Sequence, residues 1–183
     1  VDPAHLGAAV PPLSGSAYNF DLAGARWRWQ DYAVGEKIDH ADGMTLEEAE
    51  HQIATRLYQN TAKVHFNQHE QASGRFKRRL IYGGVVISLA RSLSFNGLAN
   101  AFHVAALNGG RHVAPCFAGD TVYAWSEILD RAEIPGRTDI GALRMRTIAT
   151  KNVPCRDFPD KGPDGNAAEG VILDLDLWVV LPR

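Results

Sequence analysis

Cysteine is scarce in this chain of 183 residues: only Cys116 and Cys155 are present, far apart in sequence. A disulfide scaffold is excluded, a single bridge stays open, and a reducing cytoplasm is the expected location. Long apolar runs are also missing. None approaches the roughly 18 residues of a membrane helix, and Asn96, Asn100 and the glycines interrupt the longest, so no membrane role is expected. Neither charge dominates, with 19 Lys plus Arg against 21 Asp plus Glu. That balance argues against a basic nucleic-acid partner, and a hydrophobic share of 45% argues against a largely disordered chain. No basic segment followed by an apolar one stands after Val1, so no secretory signal is expected; Val in place of Met suggests a processed product or a fragment.

Several catalytic signatures are absent too. There is no Gly-x-Ser-x-Gly and no phosphate-cradling Lys motif. His65 and His69 are four apart but lie in His-Phe-Asn-Gln-His, not a zincin motif, so no metal is expected. Gly83-Gly84 alone does not make a dinucleotide fingerprint, which needs a preceding strand and a following acidic residue.

What is present is one domain with extended ends, at about 150 residues per domain. Residues 1–25, rich in Pro and Gly and without periodicity, read as an extended arm or interdomain linker; residues 26–183 form the body. Trp27, Trp29 and Tyr32 either cover a core edge or stack on a ligand. Thr45 and Glu48 have capping-box spacing, and Leu46, Ala49, Ile53 and Leu57 share a helical face, which predicts a helix over 46–58. A polar loop with at most one helical turn follows over 60–73. Gly83-Gly84 opens an apolar run through Leu93 whose Ala, Ser and Leu content predicts a buried helix. Short strands are then expected over 102–107, 112–117, 121–129, 143–150 and 171–180, with turns at 108–110, 118–120 and 135–137 and an excursion over 156–166. In the last strand Leu173, Leu175, Leu177 and Val179 take one face and Asp174 and Asp176 the other.

Two elements carry candidate chemistry. A polar loop, Asn60-Thr61-Ala62-Lys63-Val64-His65, could hold His65 as a proton-transfer group. After Arg79-Leu80-Ile81-Tyr82, the amides of Gly83 and Gly84 could face a carbonyl oxygen that becomes negative. His65 is equally open to a structural role, and the two glycines to a plain turn into a core helix. Asn60 cannot act as a carboxylate base but can orient water. Arg75, Lys77, Arg78 and Arg79 form the densest positive cluster, either a solvated face or an anchor for ligand phosphates.

These motifs resemble the MaoC-type hotdog family, in which an antiparallel sheet wraps a long central helix. The family's Asp-x-Asn-Pro-x-His loop corresponds to Asn60 through His65, with Asn60 in place of the Asp. Arg79, Tyr82 and Gly83 match the start of its helix, and Pro115-Cys116-Phe117-Ala118-Gly119-Asp120-Thr121 its strand turn. Within the family, Tyr58 to Asn67, Ser88 to Arg91, Ser94 to Leu98, Ala114 to Ser126 and Leu173 to Trp178 resemble the carboxyl-terminal half of the branch acting on mesaconyl-CoA. The resemblance covers residues 27 to 183 and implies an α+β hotdog hydro-lyase interconverting mesaconyl-CoA and β-methylmalyl-CoA. It implies a water or proton-transfer role for His65, an oxyanion role for Gly83 with Gly84 as neighbour, and Asn60 in the carboxylate's place. CoA phosphates would meet Arg75, Lys77, Arg78 and Arg79, and Arg91, Lys63 or a missing half the distal carboxylate. The implied partners are the acyl-CoA and a homodimer mate or second hotdog domain; no metal or redox cofactor is implied, CoA being part of the substrate. A noncatalytic half completing a partner, and a thioesterase, are the competing readings.

Overall fold

The structure is a computed structural model describing residues 1–183. One antiparallel sheet of six strands organises it: β1 Lys37–Asp39, β2 Met44–Thr45, β3 His103–His112, β4 Thr121–Glu133, β5 Ile140–Lys151 and β6 Val171–Pro182. The spatial order is β1-β4-β5-β6-β3, with β2 beside β1 on β4, so β3 is an edge strand. The helices are α1 Phe20–Ala23, α2 Glu48–Leu57, α3 Gln68–Gln71, α4 Gly83–Leu93 and α5 Phe95–Leu98.

The period-2 pattern of the long strands divides the sheet into two faces. Leu143 and Met145 of β5 and Leu173, Leu175, Leu177 and Val179 of β6 turn inward and meet Val85, Val86, Leu89, Ala90 and Leu93 of α4 in the main core. Each such fully buried side chain contributes about 1.5–3 kcal/mol. The sheet therefore holds α4 from its apolar side, as a hotdog arrangement requires.

The outer face is covered at both ends. Leu6 of the arm packs on Ile134, Ile140, Ala142, Trp178 and Val180. Further along the arm, Gly15 N–H donates to Asp139 at 2.6 Å and Tyr18 OH to Asn100 at 2.8 Å. At the other end Trp125, Ile148 and Val171 pack with Cys155, and Phe158 of the excursion joins them. Between these patches the face is charged: Arg146 reaches Asp174 at 2.9 Å and Asp160 at 2.7 Å, and Arg144 reaches Asp176 at 2.5 Å. Trp29 and Tyr32 are buried, while Trp27 is half exposed. A Cβ on Gly141 would lie 2.5 Å from the Trp29 indole, so glycine is required for that ring to lie on β5.

Four expectations are corrected. Thr45 does not cap a helix; it lies in β2, its hydroxyl bonds Thr121 at 2.8 Å, and α2 starts at Glu48. The expected turn at Asn108-Gly109-Gly110 falls inside β3, which replaces the two short strands over 102–107 and 112–117 by one, with register shifts after Val104 and Leu107. The glycines there serve a bulged strand, and a Cβ on Gly110 would meet Leu175 at 2.8 Å. The 60–73 segment holds two helical turns, Lys63–His65 and Gln68–Gln71, and α4, at 11 residues, is shorter than the long central helix expected.

Candidate active site

The segment entering α4 is held from two sides. Leu80 N–H donates to Val64 C=O at 3.0 Å, and Ile81 N–H to Cys116 C=O at 2.9 Å. These bonds bring the 60–65 loop and the Pro115–Asp120 turn to the start of α4. The first paired amide of the helix is that of Val85, which donates to Tyr82 C=O at 2.9 Å. The amides of Gly83 and Gly84 donate to no group of the chain. Two free donors at the positive end of a three-turn helix suit an oxygen that gains negative charge.

His65 ends the Lys63–His65 turn and is half-buried. Its Nδ1 lies 3.1 Å from Leu80 C=O. A carbonyl only accepts, so the hydrogen is on Nδ1, and Nε2 keeps the lone pair a general base needs. The Tyr82 ring connects His65 to the glycines: the two rings are 5.8 Å apart, and a Cβ on Gly84 would lie 2.8 Å from the tyrosine ring. Asn60 is held differently. Its Oδ1 accepts from Ala62 N–H at 2.9 Å, an Asx turn that shapes the loop.

The four basic residues have separate occupations. Arg79 pairs with Glu48 and donates to Phe66 C=O at 3.3 Å, pinning the loop to α2. Arg78 lies over the Phe117 ring at 3.9 Å, Arg75 over Phe76 at 5.1 Å, and Lys77 Nζ reaches Ser73 C=O at 3.4 Å. Arg91 is at the far end of α4, bonded to Ser94 Oγ at 2.7 Å and to Ala101 C=O. It lies seven residues past Gly84, about 10 Å along the axis. As placed, the Arg91 guanidinium is turned to Ser94 and Ala101, at the end of α4 away from Gly83 and Gly84. Lys63 is turned to Glu70 at 2.9 Å.

Two histidines near the site were not anticipated. His51 is buried on the inner side of α2, and its Nε2 accepts from Tyr82 N–H at 2.9 Å. Burial, chiefly, lowers its pKa, with the neighbouring His65 and Arg79 adding to that. His112 abuts Gly83, with a Cβ there only 2.5 Å from its Nε2. The sequence signal for His51 was the i, i+4 pair with Thr55, whose hydroxyl bonds His51 C=O at 2.8 Å. Nothing local signals His112. No group of three or more His, Cys, Asp or Glu is placed to hold a metal, and no helix is long and apolar enough to cross a membrane. Cys116 and Cys155 are free and buried; burial pushes their thiols up to about 12 and about 11.

A cavity of about 300 Å³ lies between α2 and α4, lined by Ala54, Tyr58, Tyr82, Gly84 and Ser88. A second, of about 510 Å³, continues from Ser88 past Arg91 to Phe102 and Val104.

A sheet clasping a helix, with two unpaired glycine amides at the helix start and a loop histidine against the Tyr82 ring that precedes them, defines a hotdog domain. Comparison with known proteins agrees. The chain is 64% identical over 171 residues to β-methylmalyl-CoA dehydratase of Chloroflexus aurantiacus, spanning 93% of this chain and 49% of that protein. It is 59% identical over 173 residues to mesaconyl-CoA hydratase of Cereibacter sphaeroides, spanning 93% of this chain and 48% of that one. The crystal structure of a MaoC-domain dehydratase from Chloroflexus aurantiacus superposes with a TM-score of 0.91 at 61% identity, covering 97% of this chain and 51% of that one. A double-hotdog protein of Mycobacterium tuberculosis, 22% identical, matches all of this chain with 44% of its own and a TM-score of 0.58, which bears on the fold alone. No family model matches the sequence. Over these residues the chain is similar to MaoC-type dehydratases, and it spans about half the length of the curated relatives it matches.

Proposed function

We propose that this chain is one hotdog unit of a hydro-lyase that reversibly hydrates mesaconyl-CoA to β-methylmalyl-CoA, working as a pair with a second hotdog unit. The carrying observation is the two unpartnered amides of Gly83 and Gly84 at the start of α4, together with His65, which stands beside the Tyr82 ring that precedes them and is held in the tautomer that leaves the Nε2 lone pair free. Identity of 59–64% to the two named relatives supports the substrate. The thioester oxygen accepts from the glycine amides, and the enoyl system becomes electrophilic at its β-carbon. His65 takes a proton from water as the hydroxyl adds there, and a proton returns to the α-carbon. No electrons leave or enter the substrate, so the reaction calls for no redox cofactor, and CoA is part of the substrate.

The distal carboxylate of the acyl group falls to the second unit, because Arg91 and Lys63 are engaged elsewhere. The pairing surface is the apolar face carrying the two cavities that meet at Ser88. Two free, buried thiols fit a reducing cytoplasm.

A second reading has one observation in its favour. The Asn60 carbonyl is engaged in the loop, and no carboxylate stands in its place, which suits a half that completes a pocket for chemistry housed in its partner. Mesaconyl-CoA hydration, followed by loss of enoyl-thioester absorbance with a parallel assay for free CoA thiol, tests both. The expected result is hydration with the thioester retained, abolished by His65→Ala in the paired protein. Release of free CoA points to a thioesterase, and full activity of the His65→Ala pair points to the noncatalytic half.

A further inference from the structure

His112 is the last residue of β3, paired in register with Leu173 of β6. Its side chain reaches the first residue of α4. A Cβ on Gly83 would lie 2.5 Å from His112 Nε2 and 3.0 Å from its Cδ2 and Cε1, so the glycine lies over the Nε2 end of the ring face. Only glycine leaves room for that approach. The rings that hydrogen-bond within the chain are those of His40, His51, His65 and His103; both nitrogens of His112 are without a partner. Helix Cα–Cβ bonds lean toward the N-terminus, the direction in which the first amides also point. His112 Nε2, itself without a partner, therefore lies at the N-terminal end of α4, where the Gly83 N–H is also unpaired.

We propose that His112 Nε2–H is a second hydrogen-bond donor, beside the Gly83 amide, to the thioester oxygen of the substrate. This rests on the hydratase reading and adds a catalytic residue to it. As hydroxyl adds to the β-carbon, the C=C electron pair moves onto the thioester as an enolate, whose oxygen receives both donors. His112 keeps its proton throughout; the proton for the α-carbon derives from the attacking water. Partial burial lowers the pKa of His112, consistent with a neutral ring that presents one N–H. His112 is exposed to solvent and also borders a cavity of about 510 Å³ that runs along the outer sheet face past Arg146 and Asp174. The three atoms nearest a Cβ at Gly83 all belong to His112, whose ring nitrogens have no partner.

The test uses the paired protein with His112→Leu and His112→Gln, the latter retaining an N–H donor of similar reach. Two readouts are taken: kcat and KM for mesaconyl-CoA, and the red shift of bound 3-(2-furyl)acryloyl-CoA, which reports polarisation of the thioester carbonyl. Removal of one oxyanion donor costs about 10²–10³ in kcat. His112→Leu is expected to lose that much with KM little changed and to abolish most of the red shift, while His112→Gln recovers both in part. Wild-type kcat and red shift in His112→Leu overturn the assignment. If the wild-type pair shifts the probe, and His112→Leu does not, but neither hydrates mesaconyl-CoA, the hydratase reading falls and the donor assignment stands.

Discussion

His65 is the residue on which the proposed chemistry most directly depends. Its Nδ1 is bound to Leu80 C=O, so the ring has no freedom to exchange tautomers without losing that bond. Positioned acid–base groups contribute about 10²–10⁴ to rate. His65→Gln is accordingly expected to lower kcat by that amount, with a melting temperature within a few degrees of wild type, measured by hydration kinetics and circular dichroism on one preparation. A collapse in melting temperature with unchanged specific activity of the folded fraction would instead make His65 structural. The 60–65 loop and the Gly83-Gly84 entrance, which the fold brings together, could be singled out because each is a short motif. His112 was not, because its contact with Gly83 depends on β3 pairing with β6 across some 60 intervening residues, as in Arg111 opposite Asp174. A single sequence shows two residues types apart; only the sheet register shows that they touch.

Among the elements, α2 departs most from its pattern. Leu46, Ala49, Ile53 and Leu57 suggested the inner face, yet Leu46 is buried before the helix begins, and Ile53 and Leu57 are 58% and 73% exposed. The helix is rotated so that His51 and Thr55 face inward. The bond from Tyr82 N–H to His51 fixes that rotation, since a buried unpaired amide costs about 1–3 kcal/mol. Polar anchoring outweighs apolar periodicity here, and the apolar side is left for another surface. The strands were more legible: β4, β5 and β6 lie where the apolar runs and turn residues placed them, and only their ends, and the bulged β3, escaped the sequence. A second polar anchor carries a pH signature. His40 follows β1, with Nδ1 donating to Asn96 C=O at 2.8 Å and Nε2 accepting from Ser126 at 2.9 Å. Burial first, and Arg91 with it, hold its pKa below the ordinary value, against opposing effects of the Asn96 carbonyl and Asp39. Because the folded-state pKa is depressed, the unfolded chain takes up the proton first. The contribution of His40 is complete above its unfolded pKa of about 6.5 and is lost as pH falls through the lower folded value. The melting temperature is expected to fall between about pH 7 and pH 5, and the fall to be shallower in His40→Asn. An equal slope in that variant would assign the acid sensitivity elsewhere.

At the scale of the whole molecule, the rotated α2 and the edge strand β3 have a common consequence. Ile53, Leu57 and Tyr58 on one side, and Phe102, Val104 and Leu107 on the other, are exposed around the cavities that meet at Ser88. An apolar face that size, flanked by an open strand edge, marks an interaction surface. The outer sheet face is different, since the arm and the excursion cover its ends and ion pairs fill its middle. Only the α4 side is left to a second hotdog unit, and the chain matches about half of relatives long enough to contain one. Pairing was expected from the resemblance to one half of a longer chain, but no surface was expected for it, because Ile53 and Leu57 had been assigned to the core. Sedimentation equilibrium is expected to show a pair, either of two copies or with a second hotdog domain. Replacing Phe102 and Leu107 by Glu places two charges on the surface and should yield a folded monomer that no longer hydrates mesaconyl-CoA, although neither residue touches His65, Gly83 or Gly84 in sequence or motif. A wild-type chain that sediments only as a monomer at working concentration, yet turns over, would show that the site is complete within these 183 residues.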